Sequence, residues 1–144
     1  VSLWLIVLVA VLGGLGVALQ TQIAGFMDTR MGTLESVFVT YAGGGLAVTL
    51  LLAAARGGAI GQVRQLPWWV WTSGLLGLVI VGSIAFSAAR LGVVRTLTVM
   101  TAAQFLFAGL IDHYGLLNAP VRPVDLPRAA GVVLLLAGAW MVLR

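Results

Sequence analysis

Val93–His113, VVRTLTVMTAAQFLFAGLIDH, is apolar enough to cross a bilayer, yet it carries Thr98, Thr101, Gln104 and Asp112. At about 100° per residue these four fall within a sector of roughly 120° on a helix. Unpaired polar groups in hydrocarbon are costly, so such a stripe does not face lipid. Another helix or a water-filled cavity must cover it, and the rest of the chain is read for what does.

The remaining sequence has the same character. Of 144 residues, 61% are hydrophobic and 8% charged, and the mean hydropathy is +1.12. A soluble domain would be about one-quarter charged. This chain cannot cover a globular surface with polar groups, so it reads as an integral, multi-pass membrane protein. Its 19 glycines suit closely packed membrane helices. There is no cysteine, and the single His113 cannot build a metal site alone. The net charge of +4 comes entirely from scattered arginines, too sparse for a nucleic-acid face and placed as loop anchors would be. No nucleophile–base set, phosphate loop or metal-ligand cluster is present, so the reading is not an enzyme, with no catalytic residue, metal or cofactor.

About 20 helical residues span the hydrocarbon core. Five segments approach that length, at about residues 3–27, 34–55, 68–89, 93–111 and 127–143. The opening VSLWLIVLVAVLGG lacks a basic n-region and is read as a first membrane helix, not a removable signal. Arg90-Leu91-Gly92 leaves room only for a tight hairpin. The longest connection, Asp112–Pro127, holds Pro120, Pro123 and Pro127, and Asp125 followed by Pro127 predicts the start of the last helix. No linker or repeat interrupts the chain, so residues 1–144 are expected to form a single transmembrane domain.

Trp68, Trp69 and Trp71 open the third helix, where indoles favour the headgroup layer. Trp71 is the deepest of them and the one that would instead line a site. Ser73, Gly77, Ile80, Ile84 and Ser87 share a face suited to helix contact, and Ala130, Gly131, Ala137 and Gly138 form a seven-residue packing seam. Gln20 and Gln22 are the polar residues of the first helix, and Gln104 is the deepest polar group of the fourth. With Trp71, Ser83, Thr98 and Thr101 they are the substrate-lining candidates, against interhelical hydrogen bonding as the plainer role. Glu35, the only glutamate, suits the first turn of a helix capped by Thr33; the sharper alternative is a proton carrier. Asp112 opposes the dipole at its helix end, so an ion-pair partner is expected among Arg122, Arg128 and His113, with proton coupling as the alternative. Arg90 and Arg95 flank the hairpin as lipid-phosphate anchors, or for Arg95 as an anion contact.

Five spans place Arg56, Arg64, Arg122 and Arg128 on one side and Arg30, Arg90, Arg95 and Arg144 on the other, four against four. Orientation follows the Lys/Arg difference between loops, and here there is none. The expectation is a chain that inserts both ways and pairs with a second copy of itself in opposite orientation. Two sets of five helices then make a ten-helix inverted repeat about an axis in the membrane plane. The alternative is a chain oriented by a partner.

The run PWWVWTSGLLGLVIVGSIAFSAARLGVVRTLTVMTAAQFLFAGLIDHYGLL resembles the YdcZ-type family of short bacterial inner-membrane proteins in the drug/metabolite transporter superfamily. The shared pattern is Trp-Trp after Pro67, Gly74–Gly77, Leu91-Gly92, Gln104, and Asp112 followed by Gly115. Gln20 and the closing RAAGVVLLLAGAWMV fit as well. Gln22 and Ala24 depart from the pattern where an Asn is expected, as does Glu35 where a small residue is usual. The resemblance implies a place among transporters and the same paired, inverted arrangement; export of a small molecule is the expected direction. Its superfamily has ten-helix members built of two inverted halves, and small multidrug resistance exporters that work as antiparallel dimers. A secondary transporter working by alternating access as a dual-topology homodimer is therefore the expected function. The alternatives are a non-transporting assembly subunit or half of an obligate heterodimer.

Overall fold

The computed structural model describes residues 2–144. It is all-helical among those residues, with α1 at Leu3–Met31, α2 at Thr33–Ala54, α3 at Thr72–Leu91, α4 at Val93–Tyr114 and α5 at Leu126–Leu143. All five are long and apolar enough to cross a membrane, α3 together with the 3₁₀ turn at Trp68–Trp71 that leads into it. Between none and 17% of each span is buried within the chain, so lipid or another chain must cover the rest.

The contacts divide into two compact units, one up to Arg90 and one from Leu91. In the first unit, Ser2 caps α1 by accepting from the Leu5 N–H at 3.3 Å. The helix continues past Met27 to Met31, about 44 Å in all, longer than the roughly 30 Å core. Gly32 alone separates α1 from α2. Its φ of +104° is a conformation that L side chains rarely adopt, and its N–H closes on the Asp28 carbonyl at 3.0 Å. No side chain caps α2. Thr33, expected there as the cap, is itself the first helical residue, and its hydroxyl donates to Asp28 instead.

Small residues let α1 meet its neighbours closely. Thr21, Ala24 and Gly25 are its buried positions and lie on one face. The Ser36 hydroxyl of α2 donates to the Ala24 carbonyl at 3.1 Å in a buried interhelical bond. On α3 the buried residues Val81, Ile84 and Ala85 follow the same spacing. A methyl group at Gly25 would lie 2.9 Å from Ala88 Cβ, which shows how near α3 approaches. The α2–α3 contact runs through Val37 beside Gly82 and Tyr41 beside Gly77.

The second unit is built on α4 and α5. The α4 helix starts after Gly92, at φ +81°, and ends at Gly115 in the left-handed conformation. The following loop folds back: the Arg122 N–H donates to the Asp112 carbonyl at 2.8 Å, and the Val124 N–H to His113 Nδ1 at 3.3 Å. Asp125 then caps α5, accepting from the Arg128 N–H at 2.9 Å with Pro127 in the first turn, as its sequence predicts.

Candidate functional site

The small-residue seam of α1 ends in a charge. Asp28 stands seven residues after Thr21 and so continues the buried face to the helix end. Its side chain is only 5% exposed. Arg90 Nη1, from the end of α3, donates to Asp28 Oδ2 at 3.1 Å. The Thr33 hydroxyl, from the start of α2, donates to Oδ1. One carboxylate therefore joins the ends of three helices. Arg90 is held in turn by its own helix: Nη1 also donates to the Phe86 carbonyl at 2.7 Å, and the guanidinium lies 3.5 Å from the centre of the Phe86 ring. The sequence assigns Asp28 to a loop and Arg90 to lipid phosphates; the structure pairs them. Register was the available signal, since Asp28 falls in phase with Thr21, Ala24 and Gly25.

Beside this clasp, α1 and α3 border a small, open cavity of about 220 Å³ lined by Gln22, Gly25, Phe26, Thr29, Ala88 and Ala89. Gln22, a lining candidate of the first unit, thus borders this cavity. Gln20 and Ser83 are exposed on α1 and α3. Trp71 is 66% exposed at the end of the 3₁₀ turn. Glu35 is exposed in the first turn of α2, close to Gly32.

The second unit holds a larger cavity of about 580 Å³ between α4 and α5. Phe105, Ala108 and Gly109 line it from α4, and Gly131, Val132 and Leu135 from α5. Asp112, Arg122 and Arg128 provide its charged groups. On α4 the lining positions cover a sector of roughly 100°, and Thr98 and Thr101 fall inside that sector. The polar stripe and the groove therefore share a face of α4. Gln104 lies about 40° beyond it and is exposed. The Thr98 hydroxyl is satisfied by the Val94 carbonyl at 2.8 Å.

Among the described residues Asp112 makes no ion pair with Arg122, Arg128 or His113. The one carboxylate partner of Arg128 is Asp125, at 3.9 Å. No group of acidic, His or Cys side chains able to hold a metal occurs among the described residues.

Five apolar spans, closely packed small residues and charges confined to helix ends and the connections between them define a multi-pass helical membrane protein. The match to known families is specific: residues 5–141 match the model of the family described as "Putative inner membrane exporter, YdcZ". The chain belongs to that family and is a multi-pass protein of the inner membrane. No curated protein and no solved structure matches it.

Proposed function

We propose that this chain is one protomer of a small secondary transporter that exports a small molecule, working by alternating access as an antiparallel homodimer. Its family is described as an exporter, which favours transport over catalysis. The observation that carries the dimer is charge balance. With five spans in alternation, Arg30, Arg90, Arg95 and Arg144 face one side and Arg56, Arg64, Arg122 and Arg128 the other. The acids divide in the same way, Asp28 and Glu35 against Asp112 and Asp125, which leaves +2 on each side. Neither orientation is favoured by the loop charges.

Exposed polar groups on the spans support a second copy. Gln20, Gln22 and Ser83 in the first unit and Gln104 in the second would each be costly against lipid. In the proposed dimer they border the substrate path, with Trp71, Thr98 and Thr101 as further lining candidates and Glu35 and Asp112 as candidate proton carriers. Opposed copies supply an inverted repeat of the kind on which many alternating-access transporters are built.

Two variants of opposite bias test the proposal. Arg56→Gln with Arg64→Gln halves the arginines of one side; Arg30→Gln with Arg95→Gln halves those of the other. Each alone should insert one way and yield little dimer, and co-expression with different tags should restore the pair. Either variant dimerising alone as well as the unaltered chain would reject antiparallel self-pairing.

A further inference from the structure

We propose that the α4–α5 groove is a binding site for a zwitterionic phosphoethanolamine lipid of the surrounding bilayer. This does not depend on the transporter reading, because it concerns contact with lipid alone, and it assigns Asp112 to the lipid headgroup in place of proton coupling.

Two unpaired charges at the groove carry the argument. The Arg122 N–H is bonded to the Asp112 carbonyl at 2.8 Å, so the two residues are adjacent in space. Their side chains nevertheless form no ion pair with each other, and neither charged group has a hydrogen-bond partner among the described residues. Arg128 and Asp125 face each other at 3.9 Å and offset one another. What remains is one carboxylate in the last turn of α4 and one guanidinium on the loop that follows, of zero net charge, kept side by side by the Arg122–Asp112 backbone bond. A lone anion or a lone cation satisfies only half of that arrangement. A ligand bearing both an ammonium and a phosphate satisfies all of it: the ammonium donates to Asp112, and the phosphate accepts the forked N–H groups of Arg122.

The groove's shape selects a lipid over a free zwitterion. From Asp112 to Phe105, and from Arg128 to Leu135, is seven residues, so apolar walls continue about 10 Å along both helices from the charged mouth. The cavity, about 580 Å³, is of ligand size. An acyl chain gains from such walls, whereas a helix of a second copy would have to bury both unpaired charges.

Native mass spectrometry of the full-length chain in detergent tests this with four probes: a single-chain phosphoethanolamine lipid, phosphoglycerol and phosphocholine lipids of equal chain length, and free phosphoethanolamine. The unaltered chain should retain the phosphoethanolamine lipid above the other three. Asp112→Asn should lower its retention about tenfold and leave the phosphoglycerol lipid unchanged, while Arg122→Gln should lower both about tenfold. Gly131→Leu occupies the groove from a position where an added Cβ meets nothing within 4 Å, so it should exclude lipid without unfolding the chain. Helicity and elution matching the unaltered protein establish that each variant is folded. Equal retention of all lipids, indifference of the phosphoethanolamine lipid to Asp112→Asn, or equal retention of the free headgroup would overturn the proposal. So would a Gly131→Leu chain that keeps its lipid and loses its second copy.

Discussion

Removing Arg90 should loosen the first unit more than its position at a helix end implies. Two unit charges about 4 Å apart attract by about 4 kcal/mol at an effective dielectric near 20. Desolvation and screening reduce this. The Arg90 side chain is 51% exposed and the Asp28 side chain 5%, so the pair lies between a surface bridge and a buried one. Surface pairs contribute roughly 0–1 kcal/mol, and breaking a buried pair costs roughly 3–5 kcal/mol. An intermediate cost of about 2 kcal/mol follows for Arg90→Gln, which leaves a shielded carboxylate with Thr33 alone. Asp28→Asn should cost less, because the amide oxygen still accepts from Arg90 and its NH₂ can donate to the Thr33 hydroxyl. The double variant should then cost about 1 kcal/mol less than the sum, since it leaves no unpaired charge. Unfolding in mixed micelles, followed by tryptophan fluorescence, would measure all four proteins. Strictly additive costs would refute the clasp, and so would an Arg90→Gln chain as stable as the unaltered one.

Gly25→Ala should destabilise by about 1–3 kcal/mol, because its methyl meets Ala88 Cβ at 2.9 Å and the Ala89 amide nitrogen at 3.2 Å. Gly131→Ala, with open space around its Cβ, is the matched control and should be close to neutral in the same unfolding assay. Ser36→Ala removes the buried bond to the Ala24 carbonyl and should cost about 0.5–1.5 kcal/mol, the range of interhelical bonds in membranes; no change would mean that the two helices are held by packing alone. Asp125→Ala should cost about 1 kcal/mol at the start of α5, with faster amide exchange at Arg128 as the direct readout.

The five helices could be read from the sequence because span length and hydropathy follow from bilayer thickness, and the Asp125–Pro127 start of α5 because capping is local chemistry. The clasp was harder to foresee. Asp28 and Arg90 are 62 residues apart, and each has a sufficient local explanation: an acid in a turn, and a cation at a membrane surface. Only the seven-residue spacing from Thr21 to Asp28 marked the acid as belonging to a buried face. Thr33 shows the same limit, since a hydroxyl before an acidic first turn suits a cap equally well until the neighbouring carboxylate is placed. For the α4 stripe, periodicity indicated that something must cover it, and α5 lies along that side of the helix. It did not indicate that Asp112 would stand unpaired beside Arg122, because the loop between them folds back through backbone bonds that carry no side-chain signature.

Orientation in the membrane is the most direct test of the proposed inverted pair. The chain has no cysteine, so single cysteines report without background. Leu34, 77% exposed at the start of α2, marks one proposed side; Gln62 and Val121, both exposed, mark the other. Gly32 and Gly58 are avoided because their φ of +104° and +52° would strain a side chain. Each variant would be labelled in intact cells with an impermeant thiol reagent, then again after permeabilisation. The account predicts labelling of about half the chains at all three positions before permeabilisation, and of all chains after it. Full labelling at Leu34→Cys with none at Gln62→Cys and Val121→Cys, or the reverse, would contradict it.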